Sequence, residues 1–133
     1  MRLAPWPEAM AMVLRVVLID DAERVRNAVA ASIRNAGHEI VGQAGDGAGG
    51  LREVLAHQPD LVITDWRMPG TDGVETTRQI RAAHPSAAII AFTSTDTPEL
   101  RDAFRMAGAD AFVAKGDVRG LLAALRRVRA RRR

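Results

Sequence analysis

The chain has 133 residues, 47% of them apolar, which is material for one domain with a real core and not for a disordered polymer. It contains no cysteine, so disulfide scaffolds, thiolate zinc sites and cysteine nucleophiles are excluded together. The net charge of +3 hides an asymmetry: residues 119–133 hold seven arginines and no acid, while residues 1–118 carry a net charge of −4.

Residues 1–12 contain Trp6, two prolines and Glu8, and are expected to form a disordered extension and not a secretory leader. The apolar stretch Val13–Ile19 is interrupted by Arg15 and is far too short to span a bilayer, so a cytoplasmic protein without a membrane partner is expected. Val13–Ile19 opens a series of five short apolar runs, the others being Glu39–Ala44, Leu61–Thr64, Ala87–Phe92 and Ala111–Ala114. Near-continuous apolar strands of this kind point to a parallel sheet covered on both faces.

The intervals read as helices. Val25, Val29 and Ile33 form a stripe closed by Gly37. Leu51, Val54 and Leu55 form a shorter one, weakened by Gly47, Gly49 and Gly50, which suggests a mobile second helix. Val74, Thr77 and Ile80 give a face that stops near His84-Pro85, and Leu100, Ala103, Phe104 and Ala107 give one that stops at Gly108. Val118, Leu121, Leu122, Leu125 and Val128 form the last stripe, with arginines mostly on its other side. The fold class is therefore α/β: (βα)5, a doubly wound five-stranded parallel sheet. Residues 13–129 form its domain and residues 130–133 an arginine-rich end.

In such sheets ligands bind at the carboxyl ends of the strands. The first strand ends in Asp20-Asp21, the third in Asp65, the fourth in Thr93-Ser94 and the fifth in Lys115, the only lysine in the chain. Three carboxylates at one sheet edge repel each other by roughly 4 kcal/mol per pair at about 4 Å and an effective dielectric near 20. They call for a cation, a shared proton or an ammonium group, and oxygen ligation suits magnesium. Each piece has a plainer reading: Asp20 or Asp21 could cap the following helix, Asp65 could be a solvated loop residue, and Lys115 a surface charge. Their joint placement at four strand ends favours a phosphoryl-transfer site.

On these residues the sequence resembles the receiver domain of bacterial two-component response regulators, of the flavodoxin-like (βα)5 fold. The matching elements are Asp20-Asp21, Asp65 in "LVITDWRMPGTDG", Thr93 in "AIIAFTS", and Phe112 with Lys115 in "AGADAFVAKG". The resemblance implies that Asp65 is the phosphoacceptor. It also implies that Asp20, Asp21, Asp65 and the backbone carbonyl of Arg67 hold Mg2+, with Mn2+ as an alternative ion. Lys115 would contact the carboxylate and then the phosphoryl oxygens. Thr93 would donate its hydroxyl to the phosphoryl group, with Ser94 narrowing access where relatives commonly carry alanine or glycine. Phe112 would be the switch aromatic, and a core phenylalanine is its plainer reading. Gly116 stands where many relatives have proline, which suggests a looser loop.

The implied partners are a histidine kinase or histidine phosphotransfer protein, and a downstream protein at the face of the fourth helix, fifth strand and fifth helix. A homodimer is compatible with this. The expectation is a single-domain regulator, a signalling domain and not an enzyme.

Three rival readings are weaker. Gly45-Asp46-Gly47-Ala48-Gly49-Gly50 satisfies GxGxxG, but too few residues follow for a dinucleotide fold and Asp46 would face the pyrophosphate. An aspartyl phosphatase wants an acid two residues after its nucleophile, where this chain has Arg67. A phosphorylation-independent pseudo-receiver, or a nucleic-acid-binding or scaffold module acting through Arg126, Arg127, Arg129 and Arg131–Arg133, is the remaining alternative. Nucleic acid is not the expected partner, because arginines on a solvated helix face and end need no ligand. His38, His57 and His84 are scattered and read as surface or loop residues. Trp66 is expected near the metal and partly exposed.

Overall fold

The computed structural model describes residues 13–132. The extension expected over residues 1–12, with Trp6 in it, lies outside the described residues, as does Arg133. The order is β1 (Arg15–Ile19), α1 (Glu23–Asn35), β2 (Glu39–Ala44), α2 (Gly47–His57), β3 (Leu61–Thr64), α3 (Gly73–Ala83), β4 (Ala88–Thr93), α4 (Pro98–Ala107), β5 (Ala111–Ala114) and α5 (Val118–Arg131). All strand pairs are parallel, in the order β2-β1-β3-β4-β5. This is the flavodoxin-like order of a doubly wound sheet, as expected. Three of the expected strands have the observed bounds. Two differ: β1 starts at Arg15, leaving Val13 exposed, and β4 is shifted by one residue, so that Thr93 belongs to the strand itself.

The unbroken apolar runs have a simple cause. Successive side chains of a strand point to opposite faces, and here both faces are covered. Val16 and Leu18 of β1 pack with Ala30 and Ile33 of α1 and with Leu121, Leu125 and Val128 of α5. Val17 and Ile19 pack on the other face with Val54 of α2 and Ile80 of α3. Leu100 and Phe104 of α4 close that face at the β4 end.

The glycines of α2 have a packing reason that the helical pattern does not display. Gly47 and Gly50 are buried; a Cβ at Gly50 would collide with Cδ1 of Ile19, and one at Gly47 with Oγ1 of Thr76. Their absence of side chain lets α2 lie close to β1 and α3. Asp46, the acid of the GxGxxG decoy, caps α2 by accepting from the Gly49 N–H at 2.6 Å.

One histidine departs from expectation. His38, read as a surface or loop residue, is buried, and its Nδ1 accepts the Leu14 N–H at 3.0 Å. The chain preceding β1 needs an acceptor there, and the imidazole supplies it. His57 lies 3.7 Å from Glu53 on α2, and His84 Nε2 is 2.8 Å from the Pro59 carbonyl oxygen.

Candidate functional site

The chain order reverses across β1, which has β2 on one side and β3 on the other. The carboxyl ends of β1 and β3 therefore border the crevice where a doubly wound sheet binds ligands. Asp20 follows β1 and Asp65 follows β3; both are buried, while Asp21 is exposed. Each of the three offers a carboxylate oxygen, and these oxygens lie within 4.8 Å of one another. The backbone fixes the placement, since Asp65 N–H donates to the Ile19 carbonyl at 2.9 Å and Asp20 N–H to the Ala44 carbonyl at 3.0 Å.

Lys115 reaches the cluster from β5. Its Nζ lies 2.7 Å from Oδ2 of Asp20 and 2.7 Å from Oδ2 of Asp65. Burial weighs against the ammonium, but hydrogen bonds to the two carboxylates and their charges outweigh it and hold the group above its ordinary range. Three carboxylates and one ammonium leave a formal charge of −2, which a single divalent cation balances. The donor atoms are all oxygen, so the residues present fit Mg2+.

The helix-cap reading of the acidic pair does not hold. The N-cap of α1 is Ala22, with no side-chain cap bond, and Asp20 Oδ1 instead accepts the Ala22 N–H at 2.9 Å. Asp65 Oδ1 accepts the N–H of Trp66 at 2.7 Å. Trp66 is half-buried beside the cluster, and the Arg67 guanidinium stacks on its ring at 4.4 Å.

The remaining expected residues lie at the ends of β4 and β5. Thr93 is buried at the end of β4, and the exposed Ser94 follows it. The Lys115 N–H donates to the Thr93 carbonyl at 2.9 Å, which ties the two strand ends together. Phe112 is half-buried on β5. Its ring meets Phe104 edge-on with centroids 5.9 Å apart, and the Arg101 guanidinium lies over it at 4.8 Å. A groove of about 240 Å³ runs beside it, lined by Arg101, Phe104, Arg105 and Phe112 among others. Gly116 has φ +94°, a left-handed conformation that no proline can adopt, and Asp117 N–H closes the turn onto the Ala114 carbonyl at 3.1 Å.

Two contributors escaped the sequence reading. A Cβ at Gly73 would fall on the Asp65 carbonyl oxygen, so only glycine lets α3 begin this close to the end of β3. The motif quoted around Asp65 contains this glycine, but nothing in the residue pattern assigns it a contact. The other is Arg26, whose Nη1 lies 2.6 Å from the Asp20 carbonyl.

The response regulator receiver domain family matches residues 16–126 of the chain. Among curated proteins, the transcriptional regulatory protein PdtaR of Mycobacterium tuberculosis is 39% identical over 112 residues, covering 84% of this chain and 54% of that protein. Response regulator GacA of Pseudomonas viridiflava is 32% identical over 104 residues, 77% of this chain and 49% of that protein. The chain thus spans about half the length of the curated relatives it matches. A two-component response regulator of the LuxR family from Aurantimonas sp. SI85-9A1 superposes with a TM-score of 0.84 at 32% identity, over 89% of this chain and 86% of that one.

Proposed function

The chain belongs to the response regulator receiver domain family of two-component signalling, and on that premise we propose that it is a phosphorylation switch whose phosphoacceptor is Asp65. The observation that carries the reading is the Lys115 ammonium, 2.7 Å from both Asp20 and Asp65, beside the only other carboxylate of the cluster, Asp21. A site that transfers a phosphoryl group must hold a carboxylate nucleophile and neutralise the incoming oxygens, and it needs little else.

A carboxylate oxygen of Asp65 attacks the phosphorus of a phosphohistidine on a histidine kinase or phosphotransfer protein. The P–N bond breaks, its electron pair goes to the imidazole nitrogen, and an acyl phosphate forms on Asp65. Asp20, Asp21, Asp65 and the carbonyl of Arg67 would hold Mg2+, with Mn2+ an alternative, and the bound ion would offset the negative charge of the phosphoryl oxygens. Lys115 transfers its hydrogen bond from the free carboxylate to a phosphoryl oxygen. Thr93 donates its hydroxyl to another, and exposed Ser94 borders the approach.

The readout follows from the same contacts. Drawing Thr93 toward the phosphoryl group moves the end of β4, and Phe112, now held against Phe104 and under Arg101, repacks. The face of α4, β5 and α5 then presents a different surface to a downstream protein or to a second copy of the chain.

The test is incubation with Mg2+ and a small acyl-phosphate donor, followed by intact-mass measurement. A gain of one phosphoryl group, absent in Asp65→Asn, is expected. No gain with folded protein and metal present would overturn the assignment and leave a phosphorylation-independent receiver.

A further inference from the structure

Arg26 is the arginine drawn to the acidic end of β1, yet it forms no ion pair among the described residues. Its guanidinium folds back from the first turn of α1 onto neutral acceptors: Nη1 donates to the Asp20 carbonyl at 2.6 Å and Nε to Oε1 of Gln43 at 3.1 Å. Gln43 belongs to β2, which among the described residues is an edge strand with β1 as its only neighbour in the sheet. α1 has no side-chain N-cap, and the only local side-chain bond across the Asp20–Ala22 turn among the described residues is the Ala22 N–H to Asp20 Oδ1 at 2.9 Å. The turn carrying two of the three carboxylates is therefore tied to β2 through one side chain, with the Asp20 N–H to Ala44 as the accompanying backbone bond.

We infer that Arg26 is a positioning residue for the divalent-cation site, tethering the Asp20-Asp21 turn to β2 through Gln43 so that both carboxylates stay aimed at the site. The inference rests on the cation-site reading above. Bonds to a carbonyl and an amide fix the backbone without engaging any carboxylate oxygen of the cluster. An ion pair at the same place would remove a ligand.

Tethering and simple electrostatics predict opposite signs. Removing a nearby positive charge should tighten cation binding if Arg26 acts only through its field. Removing a tether should weaken it, as loss of groups that orient metal ligands does by about tenfold or more. Isothermal titration of the full chain with MgCl2 at fixed ionic strength distinguishes the two. Arg26→Met is expected to weaken Mg2+ binding about tenfold. Gln43→Ala, which keeps the charge and removes one anchor, should weaken it by a smaller factor. Both variants should keep the wild-type circular dichroism. Unchanged or tighter binding in Arg26→Met overturns the inference; if that variant does not fold, unchanged affinity in Gln43→Ala does so alone. Absence of Mg2+ binding in the wild type, or binding indifferent to Asp21→Asn, would instead remove the cation-site reading itself.

Discussion

Lys115 shows what a single residue type conveys. A chain that uses arginine for eighteen of its nineteen basic residues keeps one lysine, and it stands between two buried carboxylates. A compact ammonium can bond both oxygens as a point charge and release one without the planar geometry a guanidinium imposes. Replacing it leaves Asp20 and Asp65 facing each other without a counter-charge. Without divalent cation, Lys115→Met is expected to lose about 2 kcal/mol, read as a lower urea midpoint. Added Mg2+ should recover a larger share of stability in the variant than it contributes to the wild type; equal gains would show that the ammonium is not the counter-charge.

At the scale of elements, α2 sets helix propensity against close packing. Alanine in a helix interior is favoured over glycine by up to about 1 kcal/mol. At Gly50, however, the added methyl collides with Cδ1 of Ile19, itself buried in the core, and overpacking costs typically 1–3 kcal/mol, that is, about 2. Packing is the larger effect, so Gly50→Ala is expected to destabilise. Combining it with Ile19→Val, which removes Cδ1, the nearer of the two colliding atoms, and leaves Cγ1, should return part of the loss. A double variant whose loss is the plain sum of the two singles, measured by urea unfolding, would place the cost elsewhere. The periodicity of α2 made the helix legible and its glycines look like weak points, because a pattern of spacing carries no information about what lies opposite.

The whole molecule is expected to show a pH dependence seated at the amino edge of its sheet, away from the acidic cluster. Burial, and then the charge of Arg129, hold the His38 imidazole below its ordinary range. A histidine with a depressed folded-state pKa is neutral in both states at higher pH and contributes no pH dependence there. As the pH falls through about 6.5 the unfolded chain gains a proton that the fold resists, and stability is lost. Protonation of Nδ1 would also remove the acceptor of the Leu14 N–H. Unfolding free energy should therefore fall between about pH 7 and about pH 5.5, and less steeply in His38→Asn, whose amide oxygen keeps an acceptor. Equal slopes would rule His38 out as the source. The arginine-rich end belongs to this scale too. α5 continues to Arg131, Val128 is buried beneath it, and Arg132 donates to the Ser86 carbonyl at 2.8 Å and reaches Asp60 at 3.3 Å, so the described part of this end, up to Arg132, is packed on the domain. Among the described residues no helix is long and apolar enough to cross a membrane.

The sequence by itself determined the five strands, the five helices, the doubly wound class and the strand-end residues Asp20, Asp21, Asp65, Thr93 and Lys115. Those features are periodic or stand at the end of an apolar run, and both signals are local. Only the tertiary structure decided that Asp20 bonds Lys115 and does not cap α1, that His38 is buried, that Gly73 and Gly50 are close-approach positions, and that Arg26 reaches across to β2. Each of these depends on what another element places opposite the residue. Whether the Asp20 carboxylate caps a helix or holds an ammonium is settled by a partner far along the chain, Lys115 after β5, and no local pattern records that pairing.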